Sequence, residues 1–490
     1  MNKTRSILCV IFLFFSLINF AQEFPGKVIG GADNDQGLSL CLSHDNGYVI
    51  IGNTRSQGLG SNDILILKMN NKGEVQWQQL YGGIHQDYGT WIEKTSDNGF
   101  IASAYSWDYG FGRLDALLIK TDANGNKIWS EYYGDMFRDQ GLCVKEISGG
   151  GFILTGFTRK IGNPGDIFLV RTDEQGNEIW SNSYGTEYVD FGIDVLETND
   201  NSYLITGTAG GFYNPVEFYY HNHDADIILL KVNDSGEEIW RKYYGGDSHE
   251  IAYSLKKAEN GYYIFGVTQS IGEGSFDNYL IKIDEEGNEL WSKTFGGEDF
   301  EYGRSMDIAA DGNLFLFGTT NSLGTTNSPD MYLIKTDKNG NEIYSLIIGG
   351  EDSEYGYSVK ATPDGGCALL GETRSYGMGG QDIYFLKIDS IGNIEIFSDV
   401  EDTIIDKYRI SFFPNPMDDF ANIEIHPIDN SKDFEINIFD INGKLIRTEL
   451  VQNSSKYKMA RKTMKSGTYL FVITSKQRSE KPITGKFIVK

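Results

Sequence analysis

The chain has 490 residues, enough for two or three domains and a large core, and its 43 Lys plus Arg against 69 Asp plus Glu give a formal charge of −26. Acidity on this scale repels phosphate backbones and anionic lipid, which argues against nucleic acid as a partner and suits a chain that must stay soluble outside the cell. The charge is uneven: residues 411–490 carry 13 basic and 9 acidic side chains, so the acidity sits in the body that precedes them.

Residues 1–21 read as an export signal. Lys3 and Arg5 form a charged start, Leu8 to Phe20 form an apolar run too short to span a membrane, and Phe20-Ala21-Gln22 offers a small residue for cleavage. No later apolar run reaches spanning length, so no transmembrane span is expected in the mature chain. Beyond Cys9 in the signal, Cys41, Cys143 and Cys367 are odd in number and scattered over distant repeats. They form no disulfide framework and are expected as buried small hydrophobes.

From about residue 27 to residue 398 one unit recurs. Asp63, Asp115, Asp166, Asp226, Asp277, Asp330 and Asp382 open its most apolar segment at spacings of 52, 51, 60, 51, 53 and 52. Each unit predicts four short strands. The first follows an acidic residue, as in Asp87 to Thr95, and ends at an Asp-Asn-Gly or Asp-Gly-Gly turn of the kind that reverses a hairpin. The second is apolar, as in Gly151 to Phe157, and a Gly-, Ser- and Asn-rich loop leads to the third, as in Asp166 to Asp173. A Gly-Asn turn opens the fourth, which carries one large aromatic: Trp77, Trp129, Trp180, Trp240, Trp291 and Tyr344. Four antiparallel strands per unit of about 50 residues is the pattern of a β-propeller blade, and seven units predict seven blades. Lys27 to Gly31 is a strand without a unit, and the seventh unit ends weakly at Ile394 to Phe397. The first is therefore expected on the last blade, beside or instead of the second, so that the ring closes. The strand order resembles that of NHL-type blades, which implies that the strand before the Asp-Gly turn is innermost. The turn before Trp129 is similar to the Asp-box of sialidase-like propellers, but its spacings depart from that box and no sialidase residue is carried over. The aromatic row is expected to pack neighbouring blades together rather than to bind sugars.

Two features point to chemistry. Asp35, Asp87, Asp139, Asp190, Glu250, Glu301 and Glu354 stand just before the innermost strand, each two residues ahead of Gly or Ala. If that strand lines the channel, these carboxylates encircle one mouth, where they raise one another's pKa or recruit a cation such as Ca2+. The architectural alternative is that each accepts backbone N–H groups in the turn between blades. The second feature is the longest loop, Ala209 to Asp224, with Tyr213, Tyr219 and Tyr220 as a contact surface and His221, His223 and Asp224 as a metal-ligand pattern lacking an evident further ligand. In this blade order the loop and the acids share one face. No nucleophile elbow, P-loop or zinc-protease motif occurs.

After a linker at 399–410 the composition changes. Phe412-Phe-Pro414-Asn415-Pro416, the strand Phe434 to Asp440, the turn Ile441-Asn-Gly443-Lys444, the strand Ser466-Gly467-Thr468-Tyr469 to Ile473 and the basic end Gly485 to Lys490 predict a small antiparallel sandwich. These motifs, in this order over residues 411–490, closely resemble the type A C-terminal sorting domain of cargo exported by the type IX secretion system of Bacteroidetes. The resemblance implies recognition by that machinery, frequent removal of the tail, and a cargo anchored at the outer-membrane surface or released. The expectation is thus an all-β protein: a signal (1–21), a seven-bladed β-propeller (22–398), a linker (399–410) and a sorting domain (411–490). The propeller is expected to be a non-catalytic binding module for a glycan or protein. The alternative is a surface polysaccharide hydrolase or lyase using acids on the loop face. No cofactor beyond the calcium of the acid ring is expected.

Overall fold

The structure is a computed structural model that describes residues 26–107, 114–160, 164–211, 225–324, 328–377, 380–395, 409–413, 419–426, 434–440, 444–451, 456–462, 464–475 and 483–489. Its regular elements are all β-strands. The chain divides into two compact units, Met1–Phe397 and Ser398–Lys490.

In the first unit the sequence period becomes seven antiparallel sheets. In the first sheet Asp35–Leu42, Tyr48–Thr54, Asp63–Met69 and Val75–Tyr81 pair in chain order, and the next five sheets repeat that order. The seven inner strands are Asp35–Leu42, Asp87–Lys94, Asp139–Glu146, Val189–Glu197, Glu250–Lys257, Glu301–Ile308 and Glu354–Ala361. Each adjoins the next, and the seventh adjoins the first, so the sheets succeed one another around a ring. Second and third strands such as Phe100–Ser106 and Asp115–Thr121 are buried along their whole length, because each sheet is covered on both faces by its neighbours. This explains their continuous apolar runs. Fourth strands such as Val75–Tyr81 alternate in exposure at the outer edge.

Two devices recur where the sheets meet their own strands and each other. In every sheet the inner strand holds one extra residue opposite the second strand, just after the Gly or Ala that follows the acid; in the first sheet Gly37 pairs Gly52 and Ser39 pairs Ile51. Such a bulge bends the strand and exchanges its two faces from that point on. The second device joins neighbours. The Trp77 ring lies on Gly125 in the last turn of the next sheet, where a β-carbon would come within 2.6 Å of it. Trp129, Trp180, Trp240 and Trp291 meet Gly176, Gly236, Gly287 and Gly340 in the same way. These glycines also have φ between 74° and 85°, so turn geometry and close approach both demand the missing side chain. Tyr81, Tyr133, Tyr184 and Tyr244 donate their hydroxyls to the carbonyls of Gly125, Gly176, Gly236 and Gly287 at 2.5–2.8 Å. The aromatic row therefore packs sheet against sheet. Cys41, Cys143 and Cys367 are free and buried.

The seventh sheet is assembled from both ends of the unit. Lys27–Ile29 pairs with one half of the outer edge of Asp382–Ile388, with Val28 opposite Tyr384, and Ile394–Glu395 pairs with the other half, with Ile394 opposite Ile388. The N-terminal strand thus lies beside the C-terminal one, end to end on the same edge. Side chains complete the join: Gln36 Nε2 donates to Glu372 at 2.8 Å, and the Leu40 N–H donates to Ser358 Oγ at 3.3 Å.

The second unit contains two antiparallel sheets. One is ordered Arg409–Phe413, Phe420–His426, Lys456–Ala460, and the other Leu445–Val451, Phe434–Asp440, Gly467–Ser475, Ile483–Val489. One apolar cluster takes Ala421, Ile423 and Met459 from the first and Phe434, Ile436, Ile438, Phe471 and Phe487 from the second. Alternate residues of Phe434–Asp440 supply its centre, as the two-residue period requires.

Removing residues 22–31 strips one edge partner from Asp382–Ile388 and takes away Val28 and Ile29, which pack against the apolar clusters at this join. We expect a loss of about 2 kcal/mol, from the burial of two aliphatic side chains, together with aggregation through the exposed edge. Thermal melting and light scattering check this; an unchanged melting temperature contradicts a sealed ring.

Candidate functional site

The seven acids at the start of the inner strands are, without exception, at most 1% exposed. Each reaches back to the backbone four residues earlier. One carboxylate oxygen accepts the N–H of Gly31, Gly83, Asp135, Thr186, Gly246, Gly297 or Gly350, at 2.5–3.0 Å. In Glu250, Glu301 and Glu354 the other oxygen accepts the hydroxyl of Thr268, Thr320 or Thr373 from the end of the second strand, at 2.6–2.7 Å. The acids do not converge on one another. Each instead meets the Asp that opens the third strand of the sheet before it, over a glycine: a β-carbon on Gly82 would lie 2.5 Å from Asp87 Oδ2 and 2.8 Å from Asp63 Oδ1. Among the described residues no three His, Cys, Asp or Glu side chains gather as a metal would need. Tyr213, Tyr219, Tyr220, His221, His223 and Asp224 lie outside the described residues.

Like charges this close, taken out of water, hold on to protons. Burial, with Asp115 adding its repulsion, pushes the Asp139 carboxyl up to about 6. Burial and Glu354 push Asp330 up to about 6 as well. Asp190 and Asp277 are raised by burial too, with Asp166 and Glu301 contributing.

A second set of charges lies six residues further along the inner strands, past the bulge, where the ring presents Cys41, Glu93, Lys145, Leu196, Lys256, Asp307 and Lys360. Side chains from five sheets meet there across the channel. Lys145 Nζ pairs with Glu93 Oε2 at 2.6 Å, and Lys256 Nζ with Asp307 Oδ1 at 3.4 Å. Asp307 Oδ2 also accepts the Ala361 N–H at 2.9 Å. Lys145 and Lys360 both sit over the ring of Trp91, 4.5 and 5.6 Å from its centroid. Nearer the acids, Arg304 lies between the rings of Tyr253 and Tyr357 at 5.4 and 5.2 Å. The electrostatics here are opposite to those at the sheet junctions. Burial opposes the charge on Glu93 and Asp307, but Lys145, Lys256 and Lys360 more than offset it and hold both carboxyls below their ordinary range. Burial opposes the charge on Lys145 as well, and Glu93 overrides it and raises the ammonium. Lys360 is lowered, by burial and then by Lys256 and Lys145. The side chains of Lys145, Glu93, Lys256 and Asp307 keep 17%, 34%, 16% and 21% of their surface, so this cluster is reached by solvent where the acid ring is not.

Reading the sequence by its repeated residues misses this cluster, because its position is the one that does not repeat. The signal available was the variation itself: Glu, Lys, Lys, Asp and Lys at a fixed place in the repeated inner strands.

The raised acids give the fold a pH dependence. Their folded pKa lies above the unfolded value, so protons bind the folded state more tightly, and the resulting stability is complete below about pH 4 and lost as pH rises through about 6. We expect the melting temperature to rise as pH falls from 8 to 5. An Asp139→Asn, Asp330→Asn double variant, uncharged at both positions, should melt higher than wild type at pH 8 and show a shallower rise. Parallel melting curves for the two proteins across this range would refute the paired-acid account.

Residues 411–490 match the model of the family described as secretion system C-terminal sorting domain. Mouse (Mus musculus) Teneurin-3 is 23% identical over 200 residues, 36% of this chain and 7% of that protein, so the chain spans a small fraction of that relative's length. Among solved structures, the extracellular domain of a hybrid two component system from B. thetaiotaomicron is 12% identical with a TM-score of 0.41, covering 96% of this chain and 60% of the other. The β-propeller domain of the Trilobed protease from Pyrococcus furiosus is 10% identical with a TM-score of 0.42, covering 77% of this chain and 99% of the other. The motif residues Gly467, Thr468 and Tyr469 lie in the strand Gly467–Ser475, where Tyr469 pairs Asp440 on one side and Phe487 on the other; Lys444 directly precedes Leu445–Val451, while Pro414, Asn415, Pro416 and Gly443 fall outside the described residues. This carboxy-terminal segment is a type IX secretion-system sorting domain, and it marks the chain as cargo for export to the cell surface.

Proposed function

We propose that the chain is a surface-exposed binding protein. Residues 22–398 form a closed seven-bladed β-propeller that captures its ligand, a glycan or protein, at the charged channel. Residues 411–490 form a β-sandwich that is read by the export machinery and leaves the propeller at the outer-membrane surface. The seven sheets with adjoining first and last inner strands support the closed propeller, and the apolar cluster shared by the two sheets of the second unit supports the sandwich. The division of the chain between Phe397 and Ser398 supports the domain boundary.

The observation that carries binding over catalysis is the separation of two kinds of carboxyl. A glycosidase needs a solvent-reachable acid whose pKa is raised so that it can protonate a leaving group. Here the raised carboxyls, Asp139, Asp190, Asp277, Asp330 and Glu372, are buried, while the reachable ones, Glu93 and Asp307, are held ionised by lysines. Fixed charges of both signs orient a polar ligand and do not transfer protons.

Deleting residues 411–490 should leave a folded propeller that fails to leave the periplasm. Fractionation with surface protease digestion checks this; normal surface levels of the truncated chain would overturn the export reading. For the propeller itself, glycan and peptide arrays probed with wild type and with a Glu93→Gln, Asp307→Asn variant should show binding that the variant loses. Binding equal in both proteins would move the site away from the channel.

A further inference from the structure

Antiparallel pairing returns the second-to-third connection of every sheet to the end where its inner strand begins, so these loops share one face of the first unit. Backbone bonds tie them together. The N–H groups of Arg55, Trp107 and Arg159 donate to the carbonyls of Asn34, Gln86 and Arg138 at 2.9–3.1 Å, and those of Gln269, Asn321 and Arg374 donate to His249, Phe300 and Ser353 at 2.8–3.0 Å. The two halves of this face differ in chemistry once the buried braces are set aside. Between residues 30 and 165 the described loops carry Arg55, Arg138, Arg159 and Lys160 against Asp33 and Asp135. Between residues 245 and 381 the described loops carry Asp247, Glu273, Glu298, Asp299, Glu351 and Asp352 against Arg374, and Glu187 stands at the border. The first half is also the apolar one. Leu59, Ile84, Trp107 and Met136 keep 47–84% of their surface there. They come from successive loops that touch: the Ser61 N–H donates to the His85 carbonyl at 3.2 Å, and the Asp139 N–H to the Leu114 carbonyl at 2.8 Å. Trp107 stands outside the row that packs the sheets together. An exposed Trp and Met among arginines is the composition of an interface rather than of free surface.

We infer that this face is an interface between two copies of the chain, related by a two-fold axis that sets the arginine and apolar half of each copy against the acidic half of the other. A two-fold contact uses the same surface on both copies, so that surface must contain its own complement. This one does. Arginines that meet carboxylates across the join make paired, charge-assisted hydrogen bonds, and the apolar residues beside them lose water at the same time. Turning one copy so that equal halves meet opposes acid to acid, which fixes a single arrangement. An anionic polymer suits the arginine half less well, because the acidic half of the same face and a chain charge of −26 repel it. The inference does not depend on the ligand reading. The channel cluster lies toward the other ends of the inner strands, Glu93 being next to last in Asp87–Lys94, and so faces away from the join.

The test follows the mass of the full mature chain by sedimentation between about 1 and about 100 μM, with thermal melting to confirm that each variant is folded. We expect the wild type to approach twice its monomer mass across this range. An Arg55→Glu, Arg159→Glu, Lys160→Glu variant makes the whole face acidic, and a Glu298→Lys, Asp299→Lys, Glu351→Lys variant makes the opposite half basic; all six positions are exposed. Each variant alone then opposes like charges and should associate about tenfold or more weakly than wild type. An equimolar mixture of the two should regain a complex of twice the monomer mass, because each now carries the complement of the other. Trp107→Ala, which leaves every charge in place, should also weaken wild-type association by about tenfold or more. A wild type that stays monomeric to about 100 μM overturns the inference, and so does association that all three variants keep, since it then runs through another surface. A mixture that fails to associate when wild type does overturns the pairing of opposite halves. Capture of acidic glycans by a monomeric wild type, lost in the Arg55→Glu, Arg159→Glu, Lys160→Glu variant, assigns the arginine half to an anionic polymer and likewise overturns it.

Discussion

A sheet whose middle strands are apolar on both faces has to be covered on both faces. A row of such sheets meets that requirement only when its last member covers its first. This constraint explains most of what the first unit does with its sequence. Strands such as Tyr48–Thr54 and Leu314–Thr320 are buried throughout, so none of the seven sheets has a face to spare for water. Each large aromatic of a fourth strand lands on a glycine of the following sheet, and the seventh sheet borrows Lys27–Ile29 from the start of the chain to bring the two ends into one sheet. A closure made by hydrogen bonds to a distant segment ties the stability of every sheet to that of its neighbours.

The same closure decides where charge can go. Carboxylates at the sheet junctions are used as backbone braces, and burial beside a second carboxylate raises Asp139, Asp190, Asp277 and Asp330. This is costly at neutral pH and repeated because the junction is repeated. At the channel, by contrast, the side chains are not copies of one another. Lys145 and Glu93 come from adjacent sheets, as do Lys256 and Asp307, and Lys360 reaches the Trp91 ring contributed by a sheet that is not its neighbour in the chain. The scaffold is thus symmetric while its lining is not.

The sorting domain and the repeated sheets occupy separate parts of the chain. The second unit has its own apolar cluster, built from alternate residues of Phe434–Asp440 and its partners, so it does not depend on the propeller for a core. A sorting signal of this kind can be carried by many cargos because its folding information is local to it.

The sequence by itself determined the period, the four strands of each unit, the orphan strand at Lys27 and the order of motifs in the tail, because each of these is written in spacing and local turn chemistry. It also marked the aromatic row as packing. The acids illustrate the limit. Their recurrence was visible, yet both an open mouth and a brace were compatible with it, and only the fold shows each carboxylate buried against the N–H four residues earlier. The channel cluster was further from reach. One extra residue after Gly37 and its equivalents reverses the two faces of the inner strand, so counting from the acid gives the wrong side for Glu93, Lys145 and Lys360. Which of these residues meet was decided by closing the ring, since Lys360 and Trp91 are brought together only when the seventh sheet returns to the first.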